Sequence, residues 1–233
     1  MQKAKQIGLS SLKLLGLIIL VINLNSLPMQ FLLQGQKAPI YLEILLVALY
    51  LVGFFFIIRA LWRHYQKYLT VEQKELTFSL KDVGYAFLFF LAGRILVIIG
   101  SLLHLYLSGQ ELSANDTSVQ MVGSMMSVDH PLFSFLFLAT IVFVAPLVEE
   151  LVFRGFGNVL FFKKQVSWLG AVVTSLIFAL LHISSWTELP TYLMLGLILY
   201  AAYARRGNVK DSILVHVLNN IPMTILLFFS LFF

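Results

Sequence analysis

Hydrophobic positions in this chain come in long blocks rather than in alternation. Apolar stretches of about 20 residues, the length that crosses a bilayer as a helix, recur along nearly its whole length with short polar breaks. They read as 7–27, 39–61, 83–107, a long fourth stretch 132–162, then 168–183, 191–204 and 212–233. The period-2 pattern of a membrane barrel is absent, so the spans are helices, which satisfy their own backbone polar groups. The pattern predicts an all-α polytopic transmembrane helical bundle of about seven spans, or eight, forming a single domain over 1–233. The fourth stretch is too long for one straight span at about 1.5 Å per residue. Gly155 and Gly157 mark the expected break, with 156–167 lying along the interface. Pro222 is a candidate kink in the last segment.

Composition reinforces the membrane reading. The chain is 60% hydrophobic and 12% charged, with mean hydropathy +0.91, whereas soluble domains are about 45–50% apolar and about 25% charged. With 0 Cys, disulfides, thiolate nucleophiles and cysteine metal sites are all excluded. No small-residue cleavage site follows the first segment, so it is expected to remain as a span. The net charge of +5 resides in the flanks: Lys3 and Lys5, the connection 63–81, Lys163 and Lys164, and Arg205, Arg206 and Lys210. Connections 108–130 and 184–190 carry acids and no base, and Lys37 is the one lysine of the first outer loop. This alternation predicts a multi-pass protein with a cytoplasmic N-terminus, and the compact, short-looped chain is read as belonging to a bacterial plasma membrane. The basic residues are expected to meet lipid headgroups, not nucleic acid.

Against that apolar background the buried polar residues stand out. An ionisable residue at a helix centre costs about 3 kcal/mol on insertion scales and is a functional candidate by default. The fourth segment accepts this at Glu149 and Glu150, with Arg154 one turn on; His182 lies in the fifth, and His216 with Asn219 and Asn220 in the seventh. Residues four apart share a helix face, so Glu150 reaches Arg154, and His216 projects with Asn220. Glu149 points about 100° away from Glu150. A carboxylate beside an imidazole activates water, and a second imidazole with a carboxamide can stabilise an oxyanion. Taken singly, each group also has a structural reading: an intramembrane ion pair for Glu150 and Arg154, an interfacial histidine for His182, interhelical hydrogen bonding for His216 and Asn220. Arg94 in the third segment is read as pairing with an acid or snorkelling, and His64, His104 and His130 are given no role.

The spacing resembles three motifs of the CAAX-processing and bacteriocin-processing (CPBP, or Abi) family of intramembrane endopeptidases. Glu149-Glu150 through Arg154 is similar to its EExxxR, Phe178 through His182 to its FxxxH, and His216 through Asn220 to its HxxxN; the resemblance covers 132–222. It implies a site among the fourth, fifth and seventh spans, with Glu149 and His182 activating water, His216 and Asn220 stabilising the oxyanion, and Glu150 with Arg154 in support. If a metal takes part, Glu149, His182 and His216 would be its ligands, with Zn2+ the candidate; without an HExxH helix, no required cofactor is the favoured expectation. The implied substrate is a peptide or membrane protein. Some family members act in bacteriocin self-immunity or peptide maturation, while the compact, short-looped chain argues against a prenylated substrate. The alternative is a non-enzymatic immunity or scaffold protein that binds a partner's transmembrane segment; an ion transporter is disfavoured because no inverted repeat is visible. For the hydrolase, counting from the basic flanks predicts a water-filled cavity opening at the basic, cytoplasmic end.

Overall fold

The computed structural model describes residues 2–35, 37–162 and 166–231, and among these it is helical with no strand. The helices are α1 (Gln2–Gln34), α2 (Ile40–Tyr65), α3 (Val71–Glu75), α4 (Leu80–Ser108), α5 (Ala114–Gly123), α6 (Pro131–Phe161), α7 (Trp168–Leu180), α8 (Leu189–Ala204) and α9 (Val209–Phe229). Their starts follow local chemistry. Ser79 caps α4 in a reciprocal box with Asp82, Ser113 and Ser167 cap α5 and α7, and Pro131 and Pro190 occupy first turns where no N–H is needed. α4 stops at Gly109, whose φ of 72° suits a residue without a side chain.

Five helices, α1, α2, α4, α6 and α9, are long and apolar enough to cross a membrane. The fifth and sixth expected spans are the 13-residue α7 and 16-residue α8. At about 1.5 Å per residue these reach about 20 and about 24 Å, short of a hydrocarbon core of about 30 Å. α8 packs against α4, α7 and α9. α6 is central: 56% of its apolar window is buried, against 6% for α2, and it contacts α1, α2, α7 and α9. Val148, Val152 and Phe153 of α6 meet Phe178, Leu199 and Val215 in the largest apolar cluster.

The break expected at Gly155 and Gly157 does not occur. α6 runs through both glycines, with π-helical turns over Thr140–Val144 and Leu151–Phe156. The glycines serve close packing instead: a Cβ on Gly155 would lie 3.1 Å from Tyr65 of α2, and one on Gly157 would lie 3.0 Å from Thr174 of α7. Phe156, Gly157 and Asn158 are buried, so they do not begin an interfacial segment. Lys163 and Lys164, expected at that interface, lie outside the described residues.

Two prolines inside helices leave backbone carbonyls without their usual donor, and another helix supplies each one. Pro28 cannot donate to Leu24 O four residues earlier, and the Tyr50 hydroxyl of α2 donates to it at 3.0 Å. In α6 the Ala145 N–H bonds Thr140 O in π register. The next carbonyl, that of Ile141, therefore faces Pro146, and Asn220 Nδ2 of α9 donates to it at 2.8 Å.

The two ends of the bundle differ in charge. At the basic end Arg205 and Arg206 both bridge Asp82 and Asp211, tying α4 to α9. At the other end α5 is fastened to the start of α8. Glu188 accepts from the backbone N–H of Ala114 at 2.7 Å and of Ser184 at 2.9 Å, and the Ser113 and Tyr192 hydroxyls are 2.8 Å apart.

Tyr50→Phe should strand Leu24 O and cost about 1–3 kcal/mol, read as a lowered Tm in nanodiscs. Pro28→Ala in that background should recover most of the loss, because the backbone N–H returns. Burial by itself would raise the Glu188 carboxyl, but the N–H donors of Ala114, Ser184 and Ser185 outweigh it and hold the pKa below its ordinary value. Its stabilisation is therefore complete above the unfolded pKa of about 4.3 and is lost as pH falls through the lower folded value. Glu188→Gln should lower Tm at neutral pH, and the difference from the unsubstituted protein should narrow below about pH 4.

Candidate active site

Glu149 of α6, His182 just beyond α7, and His216 and Asn220 of α9 line one cavity of about 600 Å³. Glu149 is 6% exposed and presents its two oxygens differently. Oε1 accepts from Asn25 Nδ2 of α1 at 2.7 Å. Oε2 makes no hydrogen bond and lies 3.8 Å from His182 Nε2. His182 sits in the turn just beyond α7, and its Nδ1 is 2.7 Å from Phe178 O. A carbonyl can only accept, so Nδ1 carries the hydrogen, and in the neutral ring Nε2 is the acceptor turned toward Glu149. Tyr192 stacks on the imidazole at 5.5 Å and 24°, which fixes the ring's plane.

Glu150 faces away from Glu149 and is fully buried with Arg154. Its Oε1 accepts from Arg154 Nη1 at 3.1 Å and lies 3.0 Å from His216 Nδ1. Arg154 Nη2 donates to Gly196 O of α8 at 2.9 Å, and the guanidinium carbon stands 4.7 Å from the centre of the Phe178 ring. His216 is thus bonded to the second glutamate, while Glu149 is held by Asn25. Asn220 lines the same cavity, with Nδ2 bonded to Ile141 O.

The cavity reaches the end opposite to the one expected. Glu111, Ser113, Asn115 and Asp116 of the acidic connection line it together with Glu188, and the arginines of the basic end do not. The expectation failed because it measured depth from a break at Gly155. With α6 intact, Glu149 lies 12 residues before Phe161, about 18 Å, and His182 lies 14 residues after Trp168, about 21 Å. The two now agree in depth, and the polar centre lies well inside the bundle.

Residues 131–222 match the family described as type II CAAX prenyl endopeptidase, Rce1-like. The match is consistent with the resemblance to the CPBP family. Two curated proteins of Lactococcus lactis subsp. lactis are similar to the chain. UPF0177 protein YbdI is 29% identical over 176 residues, 76% of this chain and 88% of that protein. UPF0177 protein YxdF is 41% identical over 76 residues, 31% of this chain and 40% of that protein. No solved structure matches.

Glu149, His182 and His216 do not close into a ligand set: among the described residues no group of three His, Asp or Glu side chains could hold a metal ion. Two contributors to the site were missed in the sequence. Asn25 carried a usable signal, an amide at membrane depth in a largely apolar span. Tyr192 carried none, because an aromatic residue near a helix start reads as an interfacial anchor.

Removing one partner of the Glu150–Arg154 pair should cost about 3–5 kcal/mol, because the other charge is left buried alone. Arg154→Met should therefore lower Tm more than Arg154→Met combined with Glu150→Gln, measured on protein purified in one detergent.

Proposed function

We propose that this protein is an intramembrane endopeptidase that hydrolyses a peptide bond with a water activated by Glu149 and His182. The observation that carries the reading is the unengaged Glu149 Oε2, 3.8 Å from the lone pair of His182 Nε2, within a cavity deep in the bundle. Two acceptors at that spacing are too far apart for a direct hydrogen bond and suit a water that donates one hydrogen to each. As the water oxygen attacks the scissile carbonyl carbon, one proton passes to Glu149. The carbonyl electron pair becomes an oxyanion, and collapse of the adduct breaks the C–N bond while Glu149 returns the proton to the leaving amine. Asn25 holds Oε1, so the reacting oxygen is always Oε2.

Asn220 and His216 serve the oxyanion. Asn220 keeps a second Nδ2 hydrogen beyond the one given to Ile141 O. His216 Nδ1 faces Glu150, which orients the ring, and a proton on Nε2 would let it donate to the oxyanion. Glu150 and Arg154 act through position. No metal enters this scheme.

The charge pattern supports a cytoplasmic N-terminus in the plasma membrane, so the acidic end that the cavity reaches faces outward. A peptide arriving from outside would meet the site by that route. This favours bacteriocin self-immunity, or maturation of an exported peptide, as the physiological role.

Membranes from cells carrying the unsubstituted protein, Glu149→Gln or His182→Ala should differ in their peptide populations. Cleavage products should fall at least about 100-fold in both variants, with abundance and insertion unchanged. Products that persist in both would overturn the endopeptidase reading. Immunity retained without cleavage would favour a scaffold that binds a partner's transmembrane segment.

A further inference from the structure

The mechanism above leaves the one cation lining the cavity, among the described residues, without a task. Arg94, 14 residues into α4, makes no hydrogen bond or ion pair with any described residue. It shares a helix face with Val97, Ser101 and His104, all cavity-lining. Its height in the bundle is bracketed by its glycine neighbours. Gly93 faces Ile198 of α8 and Gly100 faces Thr191, which sets Arg94 near the level of Leu195 and of Gly196, whose carbonyl holds Arg154. Arg94 is also the only Lys or Arg among the described residues that line the cavity.

A guanidinium stays charged at any working pH, and an unpaired one at membrane depth is costly. The acids of the cavity do not neutralise it. Glu149 is held by Asn25, Asp116 by Ser113, and Glu188 by backbone N–H groups, and Glu111 lies beyond ion-pair distance. We propose that Arg94 is an anion subsite of the cavity that binds a carboxylate of the polypeptide substrate through its planar fork. The choice of a polypeptide as the carrier of that carboxylate rests on the endopeptidase reading. Carboxylate is favoured over phosphate by charge: one guanidinium matches one monoanion bidentately, whereas a dianion would face the four surrounding acids with a single cation to balance it. The carboxylate is either the substrate's C-terminus or an acidic side chain, and the two can be told apart.

The test is a binding measurement on protein carrying Glu149→Gln, reconstituted in nanodiscs of zwitterionic lipid. The probes are a labelled apolar heptapeptide with a free C-terminal carboxylate, the same peptide as its C-terminal amide, and the amide with one internal aspartate. One of the two acidic peptides should bind about tenfold more tightly than the plain amide, and which one does so identifies the source of the carboxylate. Arg94→Gln should abolish that difference while leaving affinity for the plain amide unchanged, and Arg94→Lys should restore part of it. Equal binding of all three peptides, or a preference that survives Arg94→Gln, overturns the subsite. A preference erased by adding phosphatidylglycerol to the nanodiscs overturns it in favour of a lipid phosphate. Because binding is read without turnover, loss of the endopeptidase reading in the membrane-peptide comparison leaves this result independent. Conversely, cleavage that depends on Glu149 with no acid preference would remove only the subsite.

Discussion

The candidate site depends on one carboxylate that takes no part in the proposed chemistry. Glu150 is fully buried, and through it four helices are fixed relative to one another: Arg154 reaches the Gly196 carbonyl of α8, His216 approaches from α9, and the guanidinium lies over Phe178 of α7. A buried ion pair contributes little net stability, because desolvation offsets the Coulomb attraction. Its effect is geometric, since only one arrangement of the helices leaves neither charge stranded. Glu149, the preceding residue, is thereby aimed into the cavity.

A second constraint comes from the solvent. In lipid an unpaired backbone carbonyl has no water to turn to, so each departure from α register must be met by a partner within the protein. The π-helical turns of α6 and the prolines of α1 and α6 are such departures. The side chains that answer them, Tyr50 and Asn220, come from other helices. Local irregularity has become interhelical connection, and it is concentrated where the cavity is. π-Helical turns are found mostly at functional sites, and here one of them contains Arg154.

The helical class and the cluster of polar residues could be read from the sequence, because charge and amide groups in apolar segments are conspicuous. The pairing of Glu150 with Arg154 followed from a four-residue spacing. Three things did not follow. Glycines 155 and 157 looked like a break, because sequence cannot distinguish a glycine that ends a helix from one that admits Tyr65 or Thr174. The bond between His216 and Glu150 was not legible, because a 3.6-residue period gives the face of a residue and not the rotation of its helix about a neighbour. The direction of the cavity was inverted for a related reason: depths counted from charged flanks carry the error of every misplaced helix end, and one misplaced end moved Glu149 by about two turns of helix.

The contact between Asn220 and Ile141 O bears on how such a chain can drift through descent. The amide at position 220 fills a need created by a proline on another helix, so the two positions form one inherited unit. In a lineage that replaced Pro146, the demand on Asn220 would ease to whatever the reaction alone requires; in one that keeps the proline, position 220 is bound twice over. An asparagine retained among relatives would then record the company it keeps as much as the work it does, and its persistence could not by itself be taken as a trace of catalysis.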